Sequence, residues 1–279
     1  MNIFGHELKR SLRSTLIWGL IIGGTIMLCV FLFPELKKEL GDMVDAMSDM
    51  GGFGAAFGMD RLNYGDITGF YGIYAGSMLG IGGIFYAAIL GTGLLAKEEK
   101  DHTADFLLTH PVTRTSVFWQ KAAAMAVQIF LLNLVVILLA WISIRWIGES
   151  PDWEGLCLFH LAQVLMQLEI GGICLGISAF LRRGSISAGI GVAAFLYFLG
   201  LLGNITEKAE TVKYITPYAY ADAAKILPEC ALDGTLILLG LCYGGAGILA
   251  GWIRYRTKDI RSNQMKAKRL RVRGLFKIF

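Results

Sequence analysis

Residues 122–147 read AAAMAVQIFLLNLVVILLAWISIRWI, and the single charge in that run, Arg145, sits two residues from its end. At 1.5 Å per residue, such a run crosses a hydrocarbon layer about 30 Å thick. Backbone N–H and C=O groups find no water there, so the run must be an α-helix that satisfies them internally. Five more apolar runs surround it, at 16–33, 71–96, 157–181, 185–203 and 232–253. Hydrophobic residues make up 55% of the 279 and charged residues 17%, with a mean hydropathy of +0.56. This composition excludes a soluble domain of that size. The expectation is one all-α, polytopic membrane domain, residues 1–279, with six transmembrane helices. Pro34-Glu35-Leu36-Lys37 follows the first run in place of a small-residue cleavage site, so that run is expected to stay as an anchor.

Basic residues orient the spans, because positive loops are retained in the cytoplasm. Lys9, Arg10, Arg13, Lys97, Lys100, Arg114, Lys121, Arg182, Arg183 and the basic residues of 254–279 all fall on one side if both termini are cytoplasmic. Most acids then fall on the other side. The net charge of +4 is thus a separation between two faces, and it carries no argument for nucleic acid. Within the tail 254–279, Leu270, Val272, Leu275, Phe276, Ile278 and Phe279 are mixed among cations, a pattern suited to anionic lipid, with partner docking as the alternative.

Ahead of the first span, Ile3, Phe4, Leu8 and Leu12 share a helical face while Lys9, Arg10 and Arg13 reach headgroups, which predicts an amphipathic elbow helix in the interface. Leu36, Leu40, Met43, Val44 and Met47 predict a second amphipathic helix over 35–50 at the outer surface, ended by Gly51-Gly52. Its methionines are read as packing groups, with no metal site expected. Near the last span, Tyr214-Ile215-Thr216-Pro217-Tyr218-Ala219-Tyr220 suits a membrane interface or an exit gate, and Pro217 can open a short helix. Cys29, Cys174 and Cys242 fall inside spans. Cys157 and Cys230 both lie near the outer face, where a disulfide is an open alternative.

Gly19 and Gly23, Gly72, Gly76 and Gly80, Gly172 and Gly176, and Gly240, Gly244, Gly247 and Gly251 recur at close to four-residue spacing. Such stripes let helices approach closely in lipid. Glu169 is the ionisable residue near the middle of the fourth span, on the face of Met166, Gly172, Ile173 and Gly176. A charge at that depth is costly, so two readings stand: a group on a translocation path, or a structural group paired with Gln128, Asn133, Gln163 or Gln167.

Enzyme templates are missing: the sequence has no HExxH, no GxSxG and no GxxxxGK[ST]. No catalytic residue and no cofactor are expected in this chain. The richest polar stretch is Lys97–Lys121, KEEKDHTADFLLTHPVTRTSVFWQK, between spans two and three. Asp101 or Thr103 can cap a short helix with Ala104, Phe106, Leu107 and Leu108 on its apolar side, and Pro111 ends it. Thr113 or Thr115 can start the next helix, with Lys121 at headgroup level.

This stretch resembles the coupling segment in membrane subunits of ATP-binding-cassette exporters of the type-2 permease family. The resemblance rests on Glu98 or Glu99, Thr103, Leu107-Leu108, Pro111-Val112-Thr113-Arg114 and Lys121, with His102 where the family usually has glycine. It implies a short cytoplasmic coupling helix and two permease subunits, alike or different, that form the path. It also implies separate ATPase subunits, bound below, that carry ATP and Mg. Two other classes remain as alternatives. One is an ion-coupled secondary transporter using Glu169, though no internal repeat is evident. The other is an intramembrane enzyme with Glu98 and Glu99 as paired acids. The residues do not name a substrate.

Overall fold

A computed structural model describes residues 3–48, 54, 56–59, 61–100, 112–181, 186–205 and 207–257. Every regular element among them is helical. In chain order these are α1 (Ile3–Ser48), α2 (Ile67–Lys100), α3 (Arg114–Ile147), α4 (Trp153–Phe180), α5 (Ile186–Ile205), a 3₁₀ helix (Glu207–Tyr214), α6 (Tyr218–Ala221), α7 (Ala223–Glu229) and α8 (Gly234–Thr257). Six of them, α1 to α5 and α8, are long and apolar enough to cross a membrane. The protein is therefore a multi-pass helical membrane protein, as composition requires. The first and last described residues, Ile3 and Thr257, lie on one face, the terminal face, where both neighbour the start of α3; α6 and α7 sit at the distal face.

Polar caps set the helix ends a few residues beyond the apolar runs. Thr113 caps α3 by accepting from Ser116 N–H at 3.2 Å, and Gly148 closes it in the left-handed region at φ 77°. Asp152 caps α4 through Glu154 and Gly155 N–H groups. Asp233 accepts from Thr235 N–H and Leu236 N–H at the start of α8.

α1 differs most from expectation. The elbow, the first span and the start of the predicted surface helix are one unbroken helix. Ile3, Glu7, Thr15, Ile22, Ile26, Val30 and Phe33 are all buried, at spacings of three, four, seven or eight that keep one face turned inward, so nothing in the packing asks for a break near Ser14. Pro34 sits inside this helix and forfeits a backbone hydrogen bond there. Packing on both sides holds the helix through it: Phe33 is fully buried with its ring 5.0 Å from that of Phe70, and Lys37 pairs with Glu149 at 2.8 Å while lying over the Phe33 ring.

α1 packs along α3, α2 along α4, and α4 along α8. Glycines form the α4–α8 seam. A Cβ at Gly244 would press on Cα of Glu169, one at Gly247 on Cα of Ile173, and one at Gly176 on the carbonyl of Gly247. In lipid the hydrophobic effect does not drive helices together, so this close backbone fit is a principal source of their association. Gly19 and Gly23 admit Val135 and Leu139 in the same way. Faces that carry Leu20, Ile21, Leu28 and Leu32, or Phe195, Phe198 and Leu202, are exposed and apolar, as lipid or a neighbouring membrane subunit demands.

Candidate functional site

Of the coupling residues expected from sequence, Thr103, Leu107, Leu108 and Pro111 fall outside the described residues, as does the short helix assigned to them. Glu98 and Glu99 lie in the last turn of α2. The chain continues at Val112, half-buried against the core, and Thr113 caps α3 as the sequence suggests. Arg114 Nη1 approaches the carbonyl of Arg256 at 3.5 Å, so the start of α3 meets the end of α8. The ring pairs Phe118–Tyr255 and Trp119–Trp252, with centroids 6.1 and 6.4 Å apart, extend that junction.

Lys121 corrects the expectation that it sits at headgroup level. It is fully buried, and its Nζ donates to Glu7 Oε1 at 2.5 Å and to the Leu94 carbonyl at 3.1 Å. α1, α2 and α3 are thereby tied at one ammonium. Gln128 Nε2 donates to the Glu7 carbonyl at 3.3 Å, Thr15 and Tyr86 hydroxyls meet at 2.7 Å, and Phe4 N–H donates to Gln120 Oε1 at 3.1 Å. A buried ion pair is tolerated when further bonds satisfy the charges, and the Leu94 carbonyl takes a second ammonium proton. Glu7 escaped the sequence reading because it lies among exposed Lys9 and Arg10. Its signal is positional: it stands four residues after Ile3, on the buried stripe.

Glu169 lies deeper in the membrane, 3% exposed. Its partner is none of the four amides expected. Tyr220 donates to Glu169 Oε2 at 2.7 Å, and Gly240 faces the same oxygen, where a Cβ would collide with it. The amides are engaged elsewhere. Asn133 Nδ2 donates to Gln167 Oε1 at 2.7 Å, joining α3 to α4, and Gln163 Nε2 donates to the Ala221 carbonyl at 3.0 Å, joining α4 to the distal α6. Beside Glu169, a cleft with about 10 Å³ open to the centre of a water molecule is bordered by Thr216, Tyr220, Gly240 and Tyr243. That is room for about one water. Tyr220 was legible only as an interface aromatic; α6, opened by Pro217 as expected, turns it inward while Tyr214 stays exposed.

The five cysteines are free thiols, Cys157 and Cys230 near the distal surface included. Cys230 donates to Asp152 Oδ2 at 2.9 Å, and this bond, aided by the α4 amides, holds the Asp152 carboxyl below its ordinary range. Among the described residues no cluster of His, Cys, Asp and Glu has the arrangement to hold a metal ion.

Six long apolar helices, a polar cluster that joins the first three of them, and small-residue seams define a polytopic membrane protein. Residues 1–251 match the family model of the ABC-2 family transporter proteins, and the chain belongs to that family. No curated protein matches the chain.

Proposed function

We propose that this chain is the permease subunit of an ATP-driven exporter of the plasma membrane, with both termini cytoplasmic. It forms the translocation path with a second permease subunit, alike or different. Separate ATPase subunits, which bind ATP and Mg, dock on Glu98, Glu99, Thr103, Leu107, Leu108, Pro111 and Arg114. The carrying observation, beside family membership, is the Lys121 junction. In the chain, residues 101–111 connect α2 to α3, and these two helices are bound to each other and to α1 through one buried ammonium. A displacement imposed on that segment by nucleotide-driven closure would move three helices together.

In this reading Lys121 positions the docking segment and does not touch the ATPase. The test is copurification of the chain with its ATPase subunit. Leu107→Asp combined with Leu108→Asp is expected to abolish association, and Lys121→Met to retain it while uncoupling ATP hydrolysis from transport. Retained association of the double Asp variant would overturn the docking assignment. Glu169 faces a water-sized cleft, which supports a place for it on or beside the path.

A further inference from the structure

A second cleft lies at the distal face, walled by α2, α5 and the α6–α7 segment, with about 510 Å³ of empty space counting its mouth. About 50 Å³ of that admits the centre of a water molecule, room for about four waters and hence for a small polar head group. Three glycines line it: a Cβ on Gly72 or Gly200 would press on Leu227 or Tyr218, whereas one on Gly76 meets only Ala223, at 3.5 Å. Its walls are otherwise largely apolar, including Ile73, Leu201 and the ring of Tyr197.

One polar atom in the lining is unaccounted for. Gln163 is 1% exposed, and while its Nε2 donates to the Ala221 carbonyl, its Oε1 has no hydrogen-bond partner among the described residues. A buried acceptor left unpaired carries a desolvation cost that a donor from a ligand removes. The charge in the lining, Asp222, is already engaged: Oδ1 caps α7 through Ala224 N–H, and Oδ2 faces Arg61 Nη2 at 3.5 Å. A cation would compete with Arg61 for that carboxylate. An anion would meet the carboxylate and the bare amide oxygen with no cation lining the cleft. A neutral donor meets neither obstacle.

We propose that this cleft binds a neutral amphiphile by its hydroxyl head, the hydroxyl donating to Gln163 Oε1 and the alkyl part lying along Ile73, Leu201 and Tyr197. The transporter reading supplies the reason for a ligand to come here, but binding itself needs neither nucleotide nor ATPase subunit, so the two stand or fall separately.

The experiment is photolabelling of the full chain in phosphatidylcholine nanodiscs with three diazirine probes of equal chain length: a monoacylglycerol, a fatty acid and a quaternary alkylammonium. Monoacylglycerol is expected to label peptides of α2 and α5 in preference to the charged probes. Gly76→Leu should cut that labelling by about tenfold, because a Cβ there meets only Ala223 at 3.5 Å and the remaining side chain enters the cleft. Gly93→Leu, on the same helix but with nothing within 4 Å of its Cβ, should leave labelling unchanged. If Gly76→Leu does not fold, Leu201→Trp fills the cleft from the opposite wall. Equal labelling by either charged probe, or undiminished labelling in a folded filled variant, overturns the proposal.

Discussion

Glu7 and Glu169 are carboxylates sealed in the same helix bundle, 6% and 3% exposed, yet their surroundings differ in kind. Glu7 faces an ammonium, and that ammonium reaches a backbone carbonyl as well. Glu169 faces one phenol and a cleft large enough for a water. The first arrangement is closed: charge meets charge and a backbone carbonyl takes a second ammonium proton, so that three helices share one joint. The second is open, since its partner is neutral and its environment can accept another molecule. Buried charge therefore marks a structural joint at the terminal face and a candidate working group in the middle of the membrane.

The largest expected effect comes from breaking the closed arrangement. Lys121→Met leaves Glu7 buried without a counter-charge and should lower stability by about 3–5 kcal/mol, read as a loss of thermal stability in detergent. Combining it with Glu7→Leu should restore most of that loss, because removing both charges leaves nothing unpaired. A single variant as stable as the parent would show that the pair is no tie.

Next in size is the α4–α8 seam, which carries Glu169. Gly247→Val drives a branched side chain onto the backbone of Ile173 and Gly172 and should cost about 1–3 kcal/mol. The same substitution at Gly245, where a Cβ meets nothing within 4 Å, should be nearly silent in the same melt.

Glu169→Gln sharpens the contrast most. The amide oxygen still accepts from Tyr220, so stability should move by less than about 1 kcal/mol, while transport by the reconstituted permease–ATPase complex should fall. Unchanged transport would reduce Glu169 to a second structural joint.

The smallest effect is expected at the distal cap. Asp152→Ala should cost about 1 kcal/mol and Asp152→Asn less, since asparagine caps equally well. The Cys230 thiol and the α4 amides depress the folded carboxyl, so the native state binds its proton less readily than the unfolded chain. The contribution is complete above the ordinary aspartate range and fades as pH falls through the depressed value. The stability difference between the parent and Asp152→Asn should therefore shrink in melts taken below about pH 4.

Much of this molecule is local and could be read along the chain. An apolar run long enough to cross hydrocarbon announces itself within its own residues, so six spans and the polar connection between the second and third were legible, as were Thr113 as a cap, Pro217 as a helix opener and the glycine face around Glu169. Helix ends ran a few residues past the apolar runs because polar caps leave no mark in hydropathy. The continuity of α1 was not legible, since what carries it through Pro34 is Phe70 on α2 and Glu149 in the connection after α3.

The sequence by itself determined the solvent, the number of crossings and the family. Only tertiary structure decided where the buried charges go. Glu7 and Lys121 are 114 residues apart, and Glu169 and Tyr220 are 51 apart. Partners that distant share no periodicity, and a lysine near a helix start looks the same whether it snorkels to headgroups or closes an ion pair. Which it does depends on the helix packed across from it.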